Sequence, residues 1–194
     1  EHEWEYTNDS ENTDSHYKTC SLCSFYGGEE AHSASTWTCN NNEHTGYCVC
    51  GKEMETEAHD LIYVINSDGL THSEKCSKCD YAADPETHNF NKTETTVSGV
   101  TYSACEKCDA YLIAEYNDEK YASLQCAVNK AAEVGGTVTL AAELVGDEIT
   151  VTDGNVTIDL NGKKWAMSYV TYIPLTVDGG NVTLKNGKIH QSGS

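Results

Sequence analysis

A chain of 194 residues is long enough for one large domain or two small ones, and its composition changes near Asp109: of the 30 Val, Ile and Leu residues, 9 lie in positions 1–110 and 21 in the remaining 84. Net charge is −19, divided as −15 over residues 1–110 and −4 after them, and all 12 basic residues are Lys, which disfavours nucleic acid or a phosphate as partner because the bidentate Arg fork is missing. No apolar run approaches the roughly 20 residues that span a bilayer, Glu1-His2-Glu3-Trp4 has the features of a mature or trimmed start rather than a leader, and the acidic, Arg-free composition reads as extracellular and bacterial.

Positions 1–112 read as a domain of tandem repeats and 113–194 as a second domain. The first holds 9 of the 10 cysteines, and a segment so poor in apolar residues needs disulfides or metal to hold a fold. Cysteine pairs fall at Cys20/Cys23, Cys48/Cys50, Cys76/Cys79 and Cys105/Cys108, with first cysteines 28, 28 and 29 residues apart. His16, His44 and His72 stand four residues before the first three pairs, and the counterpart before Cys105 is Tyr102. A second series, His2, His32, His59 and His88, runs at intervals of 30, 27 and 29, each followed by an aromatic: Trp4, Trp37, Tyr63 and Phe90. Strand-rich segments such as Leu61–Ile65 and 93–97, with the turn signals Asn8-Asp9-Ser10 and Asn66-Ser67-Asp68-Gly69, predict four small β-hairpins of the zinc-ribbon kind.

Two thiolates two residues apart grip one tetrahedral zinc ion, and two imidazoles close the site as a structural centre; a catalytic zinc would keep a position for water. Two assignments compete. If the leading histidine closes each site, the sets are His2, His16, Cys20, Cys23; His32, His44, Cys48, Cys50; His59, His72, Cys76, Cys79; and an incomplete His88, Cys105, Cys108. If the trailing histidine does, the sets begin with His16, Cys20, Cys23, His32, and His2 is idle. The first is preferred because it uses every histidine up to residue 88, and it implies about three to four structural Zn²⁺ ions per chain. A disulfide ladder is the competing reading of the cysteines, but disulfides would not require histidines at a fixed period. Cys39 and Cys126 stand outside the pattern.

With its Cys-x-x-Cys pairs and His-aromatic steps, the stretch 2–109 resembles the tandem repeats of large surface proteins of Gram-positive gut and oral bacteria. The resemblance implies a secreted or cell-surface location and a structural role.

In the second domain, Tyr121 to Val134 places Tyr121, Leu124, Val128 and Ala131 on one helical face, and Gly135-Gly136 ends the helix. Three segments then align: Gly135-Gly136-Thr137-Val138-Thr139-Leu140, Asp153-Gly154-Asn155-Val156-Thr157-Ile158 and Gly179-Gly180-Asn181-Val182-Thr183-Leu184, returning after 18 and then 26 residues. Each alternates apolar with polar residues, and Asn161-Gly162-Lys163 and Asn186-Gly187-Lys188 recur as matching turns. The whole predicts a mostly β chain in which a capping α-helix introduces a short parallel solenoid. These motifs resemble the opening of right-handed β-helix proteins of the pectin-lyase-like class. That class includes lyases, glycosidases and noncatalytic adhesins, so fold does not choose a function.

The leading reading is a noncatalytic structural or binding module, in which zinc-stabilised repeats present a β-helix for adhesion, glycan or protein binding, or assembly through its exposed edge. Asp153, Asp159 and Asp178 are the carboxylates on strands or turns, and Asp159 reads as a turn residue bonding its own backbone. One alternative is the N-terminal portion of a carbohydrate-active lyase or glycosidase whose active site lies beyond residue 194; another is zinc capture.

Overall fold

The computed structural model describes residues 1–8, 14–167 and 173–191. Asp9 and Ser10 of the first expected turn lie outside these. The described residues are mostly β, with one helix, and they form two compact units: Glu1–Ile62 with Glu74–Ala83, and Tyr63–Ser73 with Asp84–Ser194. Residues 84–112 thus belong to the same unit as the second expected domain.

Three of the four repeats are three-stranded meanders rather than hairpins. Strands β1 (Trp4–Asn8), β2 (Ser15–Cys20) and β3 (Tyr26–Ala31) pair in that order, as do β4 (Ala34–Cys39), β5 (Glu43–Cys48) and β6 (Glu53–Ala58), and β7 (Leu61–Ile65), β8 (Thr71–Cys76) and β9 (Glu86–Thr87). The fourth keeps two strands, β10 (Lys92–Val97) and β11 (Val100–Ala104). The third strands escape a propensity reading because Gly, Glu and Ala dominate β3 and β6. Ladder bonds to the middle strand hold them there in spite of that composition.

Each middle strand carries a buried histidine: His16 on β2, His44 on β5 and His72 on β8. In the first unit the buried side chains are chiefly such histidines and the cysteines Cys20, Cys48 and Cys76, which is thin material for a hydrophobic core.

The second unit has a true apolar core. After β12 (Ala114–Tyr116) and β13 (Glu119–Tyr121), helix α1 (Leu124–Val134) buries Leu124, Ala127, Val128 and Ala131. Ser123 caps it by accepting from the Cys126 N–H, and Gly135, at φ 83°, closes it with a bond to the Ala131 carbonyl. Tyr121, expected on the helical face, lies on β13 instead and is buried there. Gln125 fixes the helix to the strand Ile149–Val151: its side-chain carbonyl accepts from the Thr150 N–H at 2.8 Å, and its amide donates to the Thr150 carbonyl at 2.9 Å.

Beyond the helix the pairing is parallel. Strands β14 (Gly136–Leu140), β17 (Asn155–Asp159) and β20 (Asn181–Lys185) stack on one another; so do β15 (Leu144–Val145), β18 (Lys164–Met167) and β21 (Lys188–Gln191), and β16 (Ile149–Val151) with β19 (Leu175–Val177). Val138 lies opposite Ile158, and Ile158 opposite Leu184. The second return is the expected 26 residues, but the first is 20 rather than 18. A slip of two keeps every side chain on its face, so alternation alone could not fix it. Val138, Leu140, Ile158, Leu160 and Trp165 are almost wholly buried, and each such side chain contributes roughly 1.5–3 kcal/mol of transfer free energy. The Trp165 indole N–H donates to the Asp147 carbonyl at 2.9 Å, which satisfies the one polar atom it brings inside. Gly154, at φ 77°, has no room for a side chain: a Cβ there would meet the Ala132 carbonyl oxygen at 2.2 Å.

Candidate metal centres

The expected His and Cys residues gather into four groups, but the partition differs from the one preferred on sequence. The complete sets are His16, His32, Cys48, Cys50; His44, His59, Cys76, Cys79; and His72, His88, Cys105, Cys108, with His2, Cys20, Cys23 as a triad. His16 therefore does not join Cys20, His44 does not join Cys48, and His72 does not join Cys76. The reason is strand geometry. Four residues along an extended strand cover about 13 Å, whereas two donors to one tetrahedral ion sit about 3.4–3.6 Å apart. A histidine four residues before a cysteine on a strand shares that cysteine's face but serves a different site. Each middle strand accordingly gives its histidine to the knuckle of the following repeat.

The fourth repeat follows the same rule. Its knuckle is complete, with His72 and His88 as partners. Tyr102, where a bridging histidine would stand, pairs instead with Tyr111, ring centroids 5.1 Å apart.

The donor geometry fits a small tetrahedral ion. A zinc ion with bonds of about 2.1 Å to nitrogen and about 2.3 Å to sulfur holds its donors about 3.4 Å (N···N) and about 3.6 Å (N···S) apart. In the first complete set, His16 Nδ1 lies 3.3 Å from His32 Nδ1 and 3.3 Å from Cys48 Sγ, and His32 Nδ1 lies 3.5 Å from each sulfur. In the second, Cys76 Sγ is 3.3 Å from His44 Nδ1 and Cys79 Sγ is 3.7 Å from His59 Nδ1. In the third, the two Nδ1 atoms are 3.1 Å apart and sulfur–nitrogen distances run from 3.4 to 3.8 Å. Every histidine uses Nδ1. All ten cysteines are free thiols, and the knuckle sulfurs face imidazoles. Burial, joined by neighbouring positive charge from Lys52 or from the facing histidines, lowers the pKa of His32 and His88 and so favours their neutral, ligating form. In the Cys76/Cys79 pair, burial would raise Cys76, but the amides of Lys78 and Cys79 and the His59 ring outweigh it and bring the thiol down to about 6.

Around the donors stands a second layer, made of carboxylates. Glu30, Glu57 and Glu86 each lie two residues before the histidine that closes a third strand, in Glu30-Ala31-His32, Glu57-Ala58-His59 and Glu86-Thr87-His88. Each carboxylate approaches Nε2 of the bridging histidine: Glu57 at 3.1 Å from His44, Glu30 at 3.8 Å from His16 and Glu86 at 3.9 Å from His72. At His44 that distance is a hydrogen bond, which fixes the tautomer and leaves Nδ1 free to ligate; at His16 and His72 the carboxylate stands beyond hydrogen-bond reach. A lysine holds each carboxylate in turn: Lys18 on Glu30, Lys78 on Glu57 and Lys107 on Glu86. Lys78 and Lys107 sit inside their knuckles, whereas the shortened Cys48-Val49-Cys50 knuckle has no lysine and Lys18, on β2, takes the role. These exposed ion pairs are worth little by themselves, so their effect is orientation of the carboxylate. The Glu-x-His spacing, present three times, was the signal available in the sequence.

The second complete site is the best buttressed. His44 has its close carboxylate, and His59 Nε2 lies 2.9 Å from the Asn40 carbonyl, whereas Nε2 of His16, His32, His72 and His88 is buried without a hydrogen bond. Aromatic rings close over the bridging histidines edge-on: Tyr6 on His16, Trp37 on His44 and Tyr63 on His72, at 5.3, 4.7 and 5.2 Å between centroids. Gly46, opposite Trp37 in the ladder, is where a Cβ would lie 3.0 Å from that ring.

Elsewhere, Asp159 accepts from its near neighbour Asn161 N–H at 2.9 Å, as expected of a turn residue, and also from the Asn186 amide at 3.0–3.1 Å. Cys126 packs against the turn Asn66–Gly69 in the second unit, its thiol 3.4 Å from the Ser67 carbonyl. His190 is exposed and belongs to none of the four groups. No family model matches this chain, and no curated protein or solved structure matches it either.

Proposed function

We propose that residues 1–110 are a zinc-stitched array in which structural ions join successive repeats, and that the array presents a second, solenoidal part as a noncatalytic binding or display module of a secreted or cell-surface protein. One observation carries this reading: every complete Cys₂His₂ set draws one histidine from the repeat before the knuckle that supplies its thiols. Such a site holds two repeats to one another, which is the task a missing hydrophobic core would otherwise perform. Four protein donors on one ion also favour structure over catalysis. The choice of zinc follows from the mixed imidazole–thiolate donor set and from distances suited to tetrahedral coordination.

For the second part, we read β14 to β21 as the first coils of a right-handed parallel β-helix capped by α1. Its supports are the three parallel stacks, the Val138–Ile158–Leu184 ladder and the paired turns, where Asn161 and Asn186 both take positive φ, 50° and 56°. A solvated, acidic, arginine-free surface suits an extracellular setting, with a glycan or protein as the ligand class. The strand and turn carboxylates favour this over the enzyme reading, because Asp159 is engaged by Asn161, Asn186 and Lys185, and Asp153 by the Gly154 N–H.

The test is metal analysis joined to thiol protection. Chain purified without chelator should carry at least three zinc ions, its paired cysteines should resist alkylation, and chelation should expose them and unfold residues 1–62. Metal-free chain with no reactive thiol would replace zinc by disulfides. Incubation with pectic, mucin-type and N-glycan substrates should release no product; turnover abolished by Asp159→Asn with the fold intact would favour an enzyme.

A further inference from the structure

We propose that the His2, Cys20, Cys23 triad is a fourth metal site whose remaining donor is the imidazole of a histidine from outside the fold of these 194 residues. The inference rests on reading the three complete groups as zinc sites. In each of them four donors recur in one order: a bridging histidine from the preceding middle strand, a histidine after a third strand, and two knuckle cysteines. His2, Cys20 and Cys23 are the last three of those four, with His2 Nδ1 3.5 Å from Cys23 Sγ and all three donor atoms within 4.8 Å of one another. His16, the nearest other histidine in sequence, is committed to the next site, 3.3 Å from Cys48 Sγ.

Exposure identifies the face on which the missing donor arrives. At the complete sites the bridging histidine is buried beneath an aromatic ring; at the triad His2 and Cys23 are exposed. Beside them stand Leu22, Phe25 and Tyr26, exposed at 70, 57 and 55%, with Phe25 stacked on His2 at 5.3 Å. At the second complete site the counterpart of Phe25 is Tyr81, stacked on His59 at 4.2 Å. The triad thus has the aromatic support of a finished site, and two of its three donor residues are open to solvent.

Charge calls for a neutral donor, and the bridging histidine that holds this position in the three complete groups makes it imidazole. Two thiolates and one neutral histidine cancel the charge of a divalent ion. A neutral fourth donor keeps the site neutral, as in the other three, whereas a thiolate or carboxylate would leave an anion within a segment already at −15. Two sources share this chemistry: a second copy, whose uncommitted histidine is His190, or the middle strand of a further repeat.

The experiment loads the metal-free chain with Co²⁺ and follows its absorption as imidazole is added. Four ions are expected, three with spectra indifferent to imidazole and one whose bands shift and saturate at one imidazole per chain. His2→Ala should remove only the responsive ion, and Cys48→Ser only one of the indifferent three. If no Co²⁺ binds, the zinc reading itself fails. If three bind and the triad takes none, or four bind to a chain that stays monomeric and imidazole changes nothing, this inference alone fails. Sedimentation separates the sources: a dimer that forms with the fourth ion and dissolves on His190→Ala identifies a second copy, and a monomer that takes up imidazole excludes it.

Discussion

Replacing His16 by Ala separates the interleaved arrangement from one in which each repeat closes its own site. His16 sits on the same strand as Cys20, yet its Nδ1 lies 3.3 Å from Cys48 and 3.3 Å from His32. The substitution should therefore damage the site of the following knuckle. Structural zinc sites in small domains are worth roughly 10–16 kcal/mol, so one donor in four accounts for on the order of 3 kcal/mol, a weakening of about a hundredfold or more. The lost ring also leaves Tyr6 without its edge-on partner, adding a smaller packing cost in the first sheet. Competition against chelators of graded affinity would measure the weakening, and alkylation followed by peptide mass mapping would locate it. Cys48 and Cys50 should become reactive before Cys20 and Cys23 change. Exposure of Cys20 and Cys23 with Cys48 and Cys50 still protected would refute the interleaved reading.

Three further substitutions probe other parts of the molecule. Glu57→Gln should weaken the second complete site by about 10- to 100-fold, read by the same chelator competition, because the carboxylate orients His44; an unchanged affinity would reduce the Glu-x-His layer to surface charge. Gly154→Ala should destabilise the second unit by on the order of 2 kcal/mol or more, seen as a lower melting temperature, since the added Cβ meets a backbone oxygen and the φ of 77° is strained for any side chain. Asp159 is held below its ordinary value of 3.8, chiefly by the Asn161 N–H, with burial opposing and Asn186 and Lys185 assisting. A depressed carboxyl stabilises the folded state above that ordinary value and ceases to do so as pH falls through the folded one. Asp159→Ala should thus lower the melting temperature at pH 6 and lower it less at pH 2.5; an equal loss at both would assign the effect to packing.

The 28-residue period, the fifteen His and Cys residues that gather into the four groups and the parallel character of the last strands were legible in the sequence, because each depends on residue identity at fixed spacing. Their grouping was less so. Pairing His16 with Cys20 treats sequence proximity as spatial proximity, which holds for residues four apart on a helix and fails on a strand. The strand character of this segment contained the answer, and about 13 Å of extended backbone was reason enough to separate the two. The third strands were hidden for a different reason. Tyr26–Ala31 has little intrinsic preference for extension and pairs because β2 offers it a ladder, a tertiary effect that local composition does not report. Likewise Tyr121 satisfied the helical period, yet the Ser123 cap starts the helix after it. The 20-residue return from Val138 to Ile158 was concealed by the Gly-x-Val-Thr motif, which matches best two residues out of register.

Handing each bridging histidine to the next knuckle gives the repeats a grammar of donor and acceptor ends. Every junction makes the same demand, one imidazole offered and one Cys₂His set receiving it, so the junctions are interchangeable. Gene duplication or deletion of a whole unit that carries a bridging histidine would rejoin a compatible pair and keep each junction supplied, whereas a break inside a unit would spoil the junctions on both sides of it. Such an array can change its length by recombination without relearning how to fold, and a unit like the fourth, with Tyr102 in place of the offered histidine, passes no imidazole onward.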